Sequence, residues 1–135
     1  MSRIDEKIEE IEKLLDELES IMPADAEEYL GDFKCKAAGE RYFERIIESI
    51  VDLAFLIIKD KKLKTPEEDK QAFEILCMEK IISKELADRL KEAKGMRNII
   101  AHEYGEIDNS LVFHSLTEEL IPDAKEFIKQ IRDIK

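Results

Sequence analysis

The sequence has few of the residues that interrupt helices or cross-link small domains. Its 135 residues include only 4 glycines, 3 prolines and 2 cysteines, and no tryptophan. Cys35 and Cys77 are isolated, with no CxxC pair and no histidine at metal-ligand spacing, so we expect reduced, packed thiols. No apolar run approaches the ~20 residues that a membrane-spanning helix needs. These absences predict a cytoplasmic protein that needs no membrane, no metal and no cofactor.

Positive charge is also in short supply. Lysine and arginine together number 22 against 33 aspartates and glutamates, which gives a net charge of −11. Non-specific binding of nucleic acid depends on neutralising many phosphates, so this balance argues against it. A local basic site is still compatible with the sequence, because cations concentrate in one segment, at Lys80, Lys84, Arg89, Lys91, Lys94 and Arg97. Both interpretations stay open at this point.

The first half of the chain predicts two helices. Apolar residues at three-four spacing predict a first helix over Ser2–Met22 and an unusually long second helix over Asp25–Lys59. The second has the wider apolar face, which predicts a central helix packed from several sides. Gly39 within it predicts a bend or a close neighbour. Asp52 falls inside the apolar run, so we expect a buried carboxylate paired with a cation or hydroxyl of the fourth helix.

The second half predicts three more helices and no strand. Thr65-Pro66 has the pattern of a capping residue followed by the first position of a short third helix. Ser83 is the expected cap of a fourth helix that ends near residues 103–105. The last helix is expected over Leu111–Lys135, with a kink or break at Pro122. The pattern therefore predicts an all-α antiparallel bundle of about five helices.

The fourth helix contains the most informative stretch, Arg97-Asn98-Ile99-Ile100-Ala101-His102-Glu103-Tyr104. The apolar face that precedes it continues through Arg97, so an arginine stands where an apolar side chain is expected. Asn98 and His102 form an i, i+4 pair on the flank of that face. Gly95, just before the stretch, is unfavourable in a helix by about 1 kcal/mol, which suggests that a neighbouring backbone packs closely there.

The chemistry of this stretch suits a phosphodiester. A guanidinium is always charged and binds phosphate oxygens through two hydrogen bonds. An imidazole titrates near neutral pH and can accept a proton from a hydroxyl or donate one to a leaving group. A single arginine or histidine on a helix is more often solvated or capping, so spacing alone leaves a structural role open as well.

A family resemblance bears on that choice. The pattern Arg97-x4-His102-x-Tyr104 resembles the R-x4-6-H motif of HEPN ribonucleases, in the R-x4-H-x-Y form of the HepT toxins of MNT/HepT systems. Residues 40–54 resemble the long second helix of that family, and residues 68–76 resemble its third. The resemblance extends over nearly the entire chain. It implies a single HEPN domain over residues 1–135 and a homodimer in which two copies of the motif face each other across one cleft.

The resemblance also implies an activity. It implies the toxin of a type VII-like toxin–antitoxin pair, a metal-independent endoribonuclease that cuts mRNA or tRNA and leaves a 2′,3′-cyclic phosphate. His102 would be the general base or acid, and Arg97 would stabilise charge on the phosphoryl oxygens. Asn98 would orient His102 or the phosphate. Lys94 and Tyr104 would bind the RNA substrate. Tyr104 also matches the tyrosine to which the cognate MNT-type nucleotidyltransferase antitoxin adds AMP.

Two other functions remain possible from the sequence. The chain could be a non-catalytic helical module that binds substrate or partner for a minimal nucleotidyltransferase, or a plain helical scaffold whose motif joins a dimer. The intact pair of Arg97 and His102 favours the nuclease, whereas the net charge of −11 favours the module.

Overall fold

All regular elements in the described part of the chain are helical. The computed structural model describes residues 2–102 and 107–134. In chain order the helices are α1 (Arg3–Ile21), α2 (Ala26–Leu30), α3 (Phe33–Asp60), α4 (Asp69–Met78), α5 (Lys84–His102), α6 (Asn109–His114) and α7 (Ile121–Arg132), with a π-helical segment, Ser115–Leu120, between the last two. The predicted all-α bundle is confirmed.

Helix α3 is the centre of the bundle. It contacts α1, α2, α4, α5, α6 and the π-helical segment. Ile46, Ile47, Ile50 and Leu53 along it are completely buried, and each such side chain contributes about 1.5–3 kcal/mol through its removal from water. The predicted central helix is therefore confirmed. Among the described helices, none combines the length and the apolar character needed to cross a membrane.

The predicted long second helix is wrong at its start. The chain forms α2, which ends at Leu30, becomes extended at Asp32 and begins α3 at Phe33. The Asp32 carboxylate accepts hydrogen bonds from the backbone N–H groups of Lys34 and Cys35, which caps α3. The aspartate side chain takes the place of the carbonyl groups to which these N–H groups would donate in a continuous helix. Asp32 therefore starts a new helix where the apolar periodicity alone predicts an unbroken one.

The two helical glycines face different surroundings. A Cβ at Gly39 would lie 2.9 Å from Tyr29 Oη and 3.0 Å from Leu116 Cδ1, so the close neighbour predicted there is confirmed. A Cβ at Gly95 would meet Lys70 Nζ at 3.7 Å, which is an ordinary contact with a flexible side chain. The close backbone predicted beside Gly95 is therefore wrong. Of these two glycines, Gly39 alone is required by packing.

Other helix ends depart from the predicted positions in small ways. Helix α4 begins at Asp69 after Glu68, so Thr65-Pro66 precedes the helix and does not open it. Ser83 Oγ accepts a hydrogen bond from the Leu86 N–H, which confirms the predicted cap of α5. The π-helical segment ends at Leu120, two residues before Pro122, so the helix is widened just before the proline.

Two helices end on lysines in a left-handed conformation. Lys62 follows α3 with φ 58° and Lys80 follows α4 with φ 60°. The next residue in each case donates its N–H back into the helix, from Leu63 to the Ile58 carbonyl and from Ile81 to the Leu76 carbonyl. This is the Schellman closure that glycine usually provides. Because lysine rarely adopts this conformation, the sequence did not predict these two turns.

Candidate active site

Helix α5 holds the motif against the core by one face. Leu86, Leu90 and Ile100 are buried, while Asn98 and His102 are exposed. Arg97 lies at the edge of the buried face, with 21% of its side chain exposed. The predicted placement of Arg97 on the apolar face is therefore confirmed, and Asn98 and His102 lie on the outer side as expected.

Arg97 is held by a carboxylate from the central helix. Its Nη2 donates to Glu48 Oε1 at 2.8 Å, and Glu48 lies 49 residues earlier, on α3. Arg97 Nε is buried and has no hydrogen-bond partner among the described residues. A guanidinium bound at one nitrogen by a carboxylate keeps further N–H donors for an anion such as a phosphate. Sequence reasoning did not identify Glu48, because no local pattern links it to Arg97.

His102 is the last residue of α5 in the described part of the chain. Its side chain is exposed, so it is accessible to a ligand. Tyr104, which was predicted to bind substrate and to receive AMP, lies outside the described residues. Its predicted roles therefore remain predictions.

Lys94, predicted to bind substrate, is engaged within the chain. Its Nζ lies 3.0 Å from Asp69 Oδ2 on α4, and 15% of its side chain is exposed. The ion pair joins α4 to α5 next to the motif. A phosphate could recruit this ammonium only by sharing it with Asp69, so the role of Lys94 in binding remains a prediction.

The outer surface near the motif is partly apolar. Ile99, next to Asn98, is 48% exposed, and Leu111 on α6 is 49% exposed. Met96, one turn before Ile99, lines a cavity of about 210 Å³ together with Leu111. We call Met96, Ile99 and Leu111 the apolar strip. Large apolar side chains on a motif surface are more typical of an interface than of a face exposed to water.

Arg89, another cation of α5, is engaged in an ion pair between two helices. Arg89 Nε donates to Asp123 Oδ1 at 2.9 Å and ties α5 to α7. Burial raises the pKa of the Asp123 carboxyl above its usual value, and the nearby Arg89 opposes that rise only in part. The buried carboxylate that pairs with a cation of this helix is thus Asp123.

The buried partner predicted for Asp52 is wrong. Asp52 is 62% exposed, and its Oδ2 lies 3.6 Å from Lys7 Nζ on α1. Partial burial disfavours the charge of Lys7, yet hydrogen bonds and charges from Glu10 and Asp52 raise the pKa of the Lys7 ammonium. Asp52 therefore lies on the outer face of α3, although apolar residues surround it in sequence.

The described residues show no cluster of three or more histidine, cysteine, aspartate or glutamate side chains placed to hold a metal ion. The groups available for chemistry in the described motif are the guanidinium of Arg97, the amide of Asn98 and the imidazole of His102. A cation and an imidazole can stabilise a phosphoryl transition state and transfer protons.

Comparisons with known proteins find relatives along almost the whole chain. The family described as "Ribonuclease HepT-like" matches residues 4–131. The chain is 27% identical over 126 residues to the mRNA nuclease HepT of Shewanella oneidensis, covering 93% of each protein. It is 28% identical over 114 residues to the tRNA nuclease HepT of Aphanizomenon flos-aquae, covering 84% of this chain and 78% of that one. Its fold matches the tri-AMPylated HEPN toxin of Shewanella oneidensis, solved in complex with MNT antitoxin, with a TM-score of 0.89 and 27% identity over 98% and 99% of the two chains.

Proposed function

Because this chain belongs to the family of HepT-like ribonucleases, we propose that it is a metal-independent endoribonuclease and the toxin of a type VII-like toxin–antitoxin pair in the cytoplasm. One observation carries the proposal. Arg97 is held at one nitrogen by Glu48 of α3. Arg97 itself lies on α5, the helix that also carries the exposed His102. A fixed cation can stabilise the charged phosphoryl oxygens, and an accessible imidazole can transfer protons, so both kinds of group suit RNA cleavage without a metal.

The proposed reaction uses the RNA itself as the nucleophile. The 2′-oxygen bonds to the adjacent phosphorus, the bond from phosphorus to the 5′-oxygen breaks, and a 2′,3′-cyclic phosphate remains. An imidazole of His102 takes the proton of the 2′-hydroxyl, and a second imidazole gives one to the departing 5′-oxygen. Arg97 stabilises the charge on the phosphoryl oxygens in the transition state. Asn98 orients the imidazole or the phosphate, and Lys94 contributes charge to binding.

The need for two imidazoles favours a homodimer with one shared cleft. Five residues on a helix separate Arg97 and His102 by about 140° around its axis, so the two side chains leave the helix on different sides. A second copy facing the first would bring its own His102 to the cleft. The apolar strip beside the motif is the surface that such a copy would cover. The pair would then form one site from groups that a single copy holds apart.

A nucleotidyltransferase antitoxin is the proposed regulator. The Shewanella relative was solved with an MNT antitoxin in an AMPylated form. We propose that the partner of this chain adds AMP to Tyr104, two residues after His102. The added nucleotide places bulk and negative charge where RNA must bind, and like charges repel the phosphate backbone. The modification would therefore switch off cleavage.

The reaction is tested by the products formed from a single-stranded RNA oligonucleotide in the presence of excess EDTA. We expect cleavage to continue, with a 2′,3′-cyclic phosphate on one fragment and a 5′-hydroxyl on the other, as read by mass spectrometry. The same oligonucleotide carrying 2′-O-methyl groups should resist, because it lacks the nucleophile. Cleavage of the methylated strand, or loss of activity in EDTA, would contradict the mechanism.

The regulatory proposal is tested on purified protein after co-expression with the adjacent nucleotidyltransferase. We expect peptide mass spectrometry to find AMP on Tyr104, and a Tyr104→Phe variant to lack it and to stay toxic in the presence of the antitoxin. Tyr42, whose hydroxyl donates to Glu17 at 3.0 Å, is an internal control that should stay unmodified. AMP on Tyr42 with none on Tyr104 would overturn the assignment.

The binding-module alternative retains one observation in its favour, the net charge of −11. A module would form a stoichiometric complex with its nucleotidyltransferase but leave RNA intact under every condition of the cleavage assay. The cleavage assay therefore separates the two functions.

A further inference from the structure

A second concave surface lies away from the motif, at the far end of α3. Its cavity has a volume of about 710 Å³ and is bordered by α1, the end of α3 and the loop that follows. Four cationic side chains line it together with one carboxylate and an aromatic ring, namely Arg3, Lys7, Lys59, Lys62, Asp52 and Phe55. We call this surface the basic groove.

The charge of the basic groove is opposite to that of the chain as a whole. The protein carries a net charge of −11, yet cations exceed carboxylates in this groove. Lys7 is engaged with Asp52 at 3.6 Å and with Glu10 at 2.9 Å, which leaves Arg3, Lys59 and Lys62 for a ligand. A local excess of cations in an acidic protein is the arrangement expected at a site for a polyanion.

The basic groove and the carboxylate that holds Arg97 lie along one face of α3. Glu48, Asp52, Phe55 and Lys59 follow a four-three-four spacing, which places them on a single stripe of the helix. Glu48 is the residue that holds Arg97. The rise from Glu48 to Lys59 is about 16 Å. A strand that leaves the motif along this stripe therefore enters the groove within a few nucleotides.

The carboxylates on the stripe do not block this path. Glu48 is paired with Arg97 and Asp52 with Lys7, so each negative charge has a cation beside it. Phe55 is only half-buried and offers part of its ring to the groove. Aromatic side chains between cations are the elements with which proteins bind single-stranded RNA, because bases stack on the rings while cations follow the phosphates.

We propose that the basic groove binds single-stranded RNA that flanks the bond cleaved at the motif. The proposal rests on the proposed function and names a part of the substrate-binding surface beyond the motif. Arg3, Lys59 and Lys62 contact phosphates, and Phe55 stacks on a base. This groove adds positive charge beyond that of the motif, in a chain whose net charge is −11.

The test compares two double variants with the same change of net charge. Lys59→Gln/Lys62→Gln removes two cations from the groove, whereas Lys61→Gln/Lys64→Gln removes two exposed lysines of the same segment that do not line it. Both are made in the His102→Ala background, so that RNA is bound without being cleaved. At about 0.1 M salt we expect the groove variant to bind a long single-stranded oligonucleotide roughly 10- to 25-fold more weakly.

The salt dependence gives an independent measure. Each lost phosphate contact lowers the slope of log K against log salt by about 0.7 for a single strand, so the groove variant should lose about 1.4 and the control variant almost nothing. Phe55→Leu should weaken binding about fivefold or more and leave the salt slope unchanged, because stacking releases no counterions. Equal losses in the groove and control variants would show that only net charge matters and would overturn the proposal.

The remaining outcomes separate the groove from the proposed function. When His102 is kept, the groove variant should raise KM for a long RNA. It should leave kcat unchanged, and it should cleave a dinucleotide, which is too short to reach the groove, at the normal rate. If the wild-type chain cleaves RNA and both double variants bind RNA equally well, the proposal for the groove is wrong and the nuclease function stands. A wild-type chain that neither cleaves nor binds RNA overturns both. If the groove variant keeps RNA affinity and loses only its complex with the nucleotidyltransferase, the groove belongs to the partner and the RNA assignment is wrong.

Discussion

Replacing His102 with alanine is expected to lower the rate of RNA cleavage by about 10²- to 10⁴-fold and to abolish growth toxicity. The reason is that proton transfer by a positioned imidazole contributes a factor of this size, and both proton transfers in the proposed reaction use His102. The side chain is exposed at the end of α5, so its removal leaves no buried cavity. The temperature of unfolding should therefore stay close to that of the wild type.

The chain provides a matched control for this experiment. His114, its other histidine, is exposed on α6, and His114→Ala should cleave RNA at the normal rate. A His102→Ala protein that is folded and cleaves as well as the wild type would show that His102 is not catalytic. Equal losses in both histidine variants would indicate a general effect on stability or expression rather than on the chemistry.

Replacing Glu48 with alanine is expected to lower kcat by about 100-fold, although Glu48 does not touch the reacting atoms. Glu48 is a positioning residue that holds Arg97 by a hydrogen bond of 2.8 Å. A displacement of a transition-state group by about 1 Å can cost two orders of magnitude. The Glu48 side chain is 48% exposed and that of Arg97 is 21% exposed, and ion pairs near the surface contribute at most about 1 kcal/mol to folding. A large loss of rate with a small loss of stability is the signature of positioning.

Two further variants sharpen this test. Glu48→Gln keeps an oxygen that can accept the hydrogen bond from Arg97, so we expect it to recover a part of kcat. Glu44→Ala, one helical turn earlier on α3, removes a carboxylate that makes no ion pair with Arg97 and should leave kcat and KM unchanged. If Glu48→Ala instead increased cleavage, Glu48 would be a competitor of the phosphate for Arg97, and the positioning role would be wrong.

The motif could be placed from the sequence because its signals are local. The spacing of Leu86, Leu90 and Ala93 extends to Arg97 within one helix, so the position of the arginine at the edge of the core follows from helical geometry. The boundary between α2 and α3 is also a local matter, but there two local signals conflict. The apolar periodicity predicted one helix, and the capping oxygen of Asp32 terminates that pattern.

The residues around the motif could not be found in the same way. Glu48 reaches Arg97 across 49 residues, and a charged residue on the outer face of a long helix is ordinary in sequence. Asp52 was predicted to be buried because its neighbours in sequence are apolar, yet it shares the exposed stripe of Glu48. Only the packing of α1 and α5 against α3 decides which charges meet. The basic groove depends on the same packing, because Arg3 and Lys59 belong to different helices.

The left-handed lysines that follow α3 and α4 lower the stability of both turns, and at one of them the lysine also lines the basic groove. An L-residue with a side chain pays roughly 1–2 kcal/mol for this backbone conformation, a strain that glycine avoids. Lys80 and Lys62 bear the same strain, but only Lys62 borders the basic groove. Glycine at position 80 would simply relax the loop. Glycine at position 62 would relieve the same strain but remove a cation of the basic groove. We therefore expect the more stable turn to bind RNA less tightly.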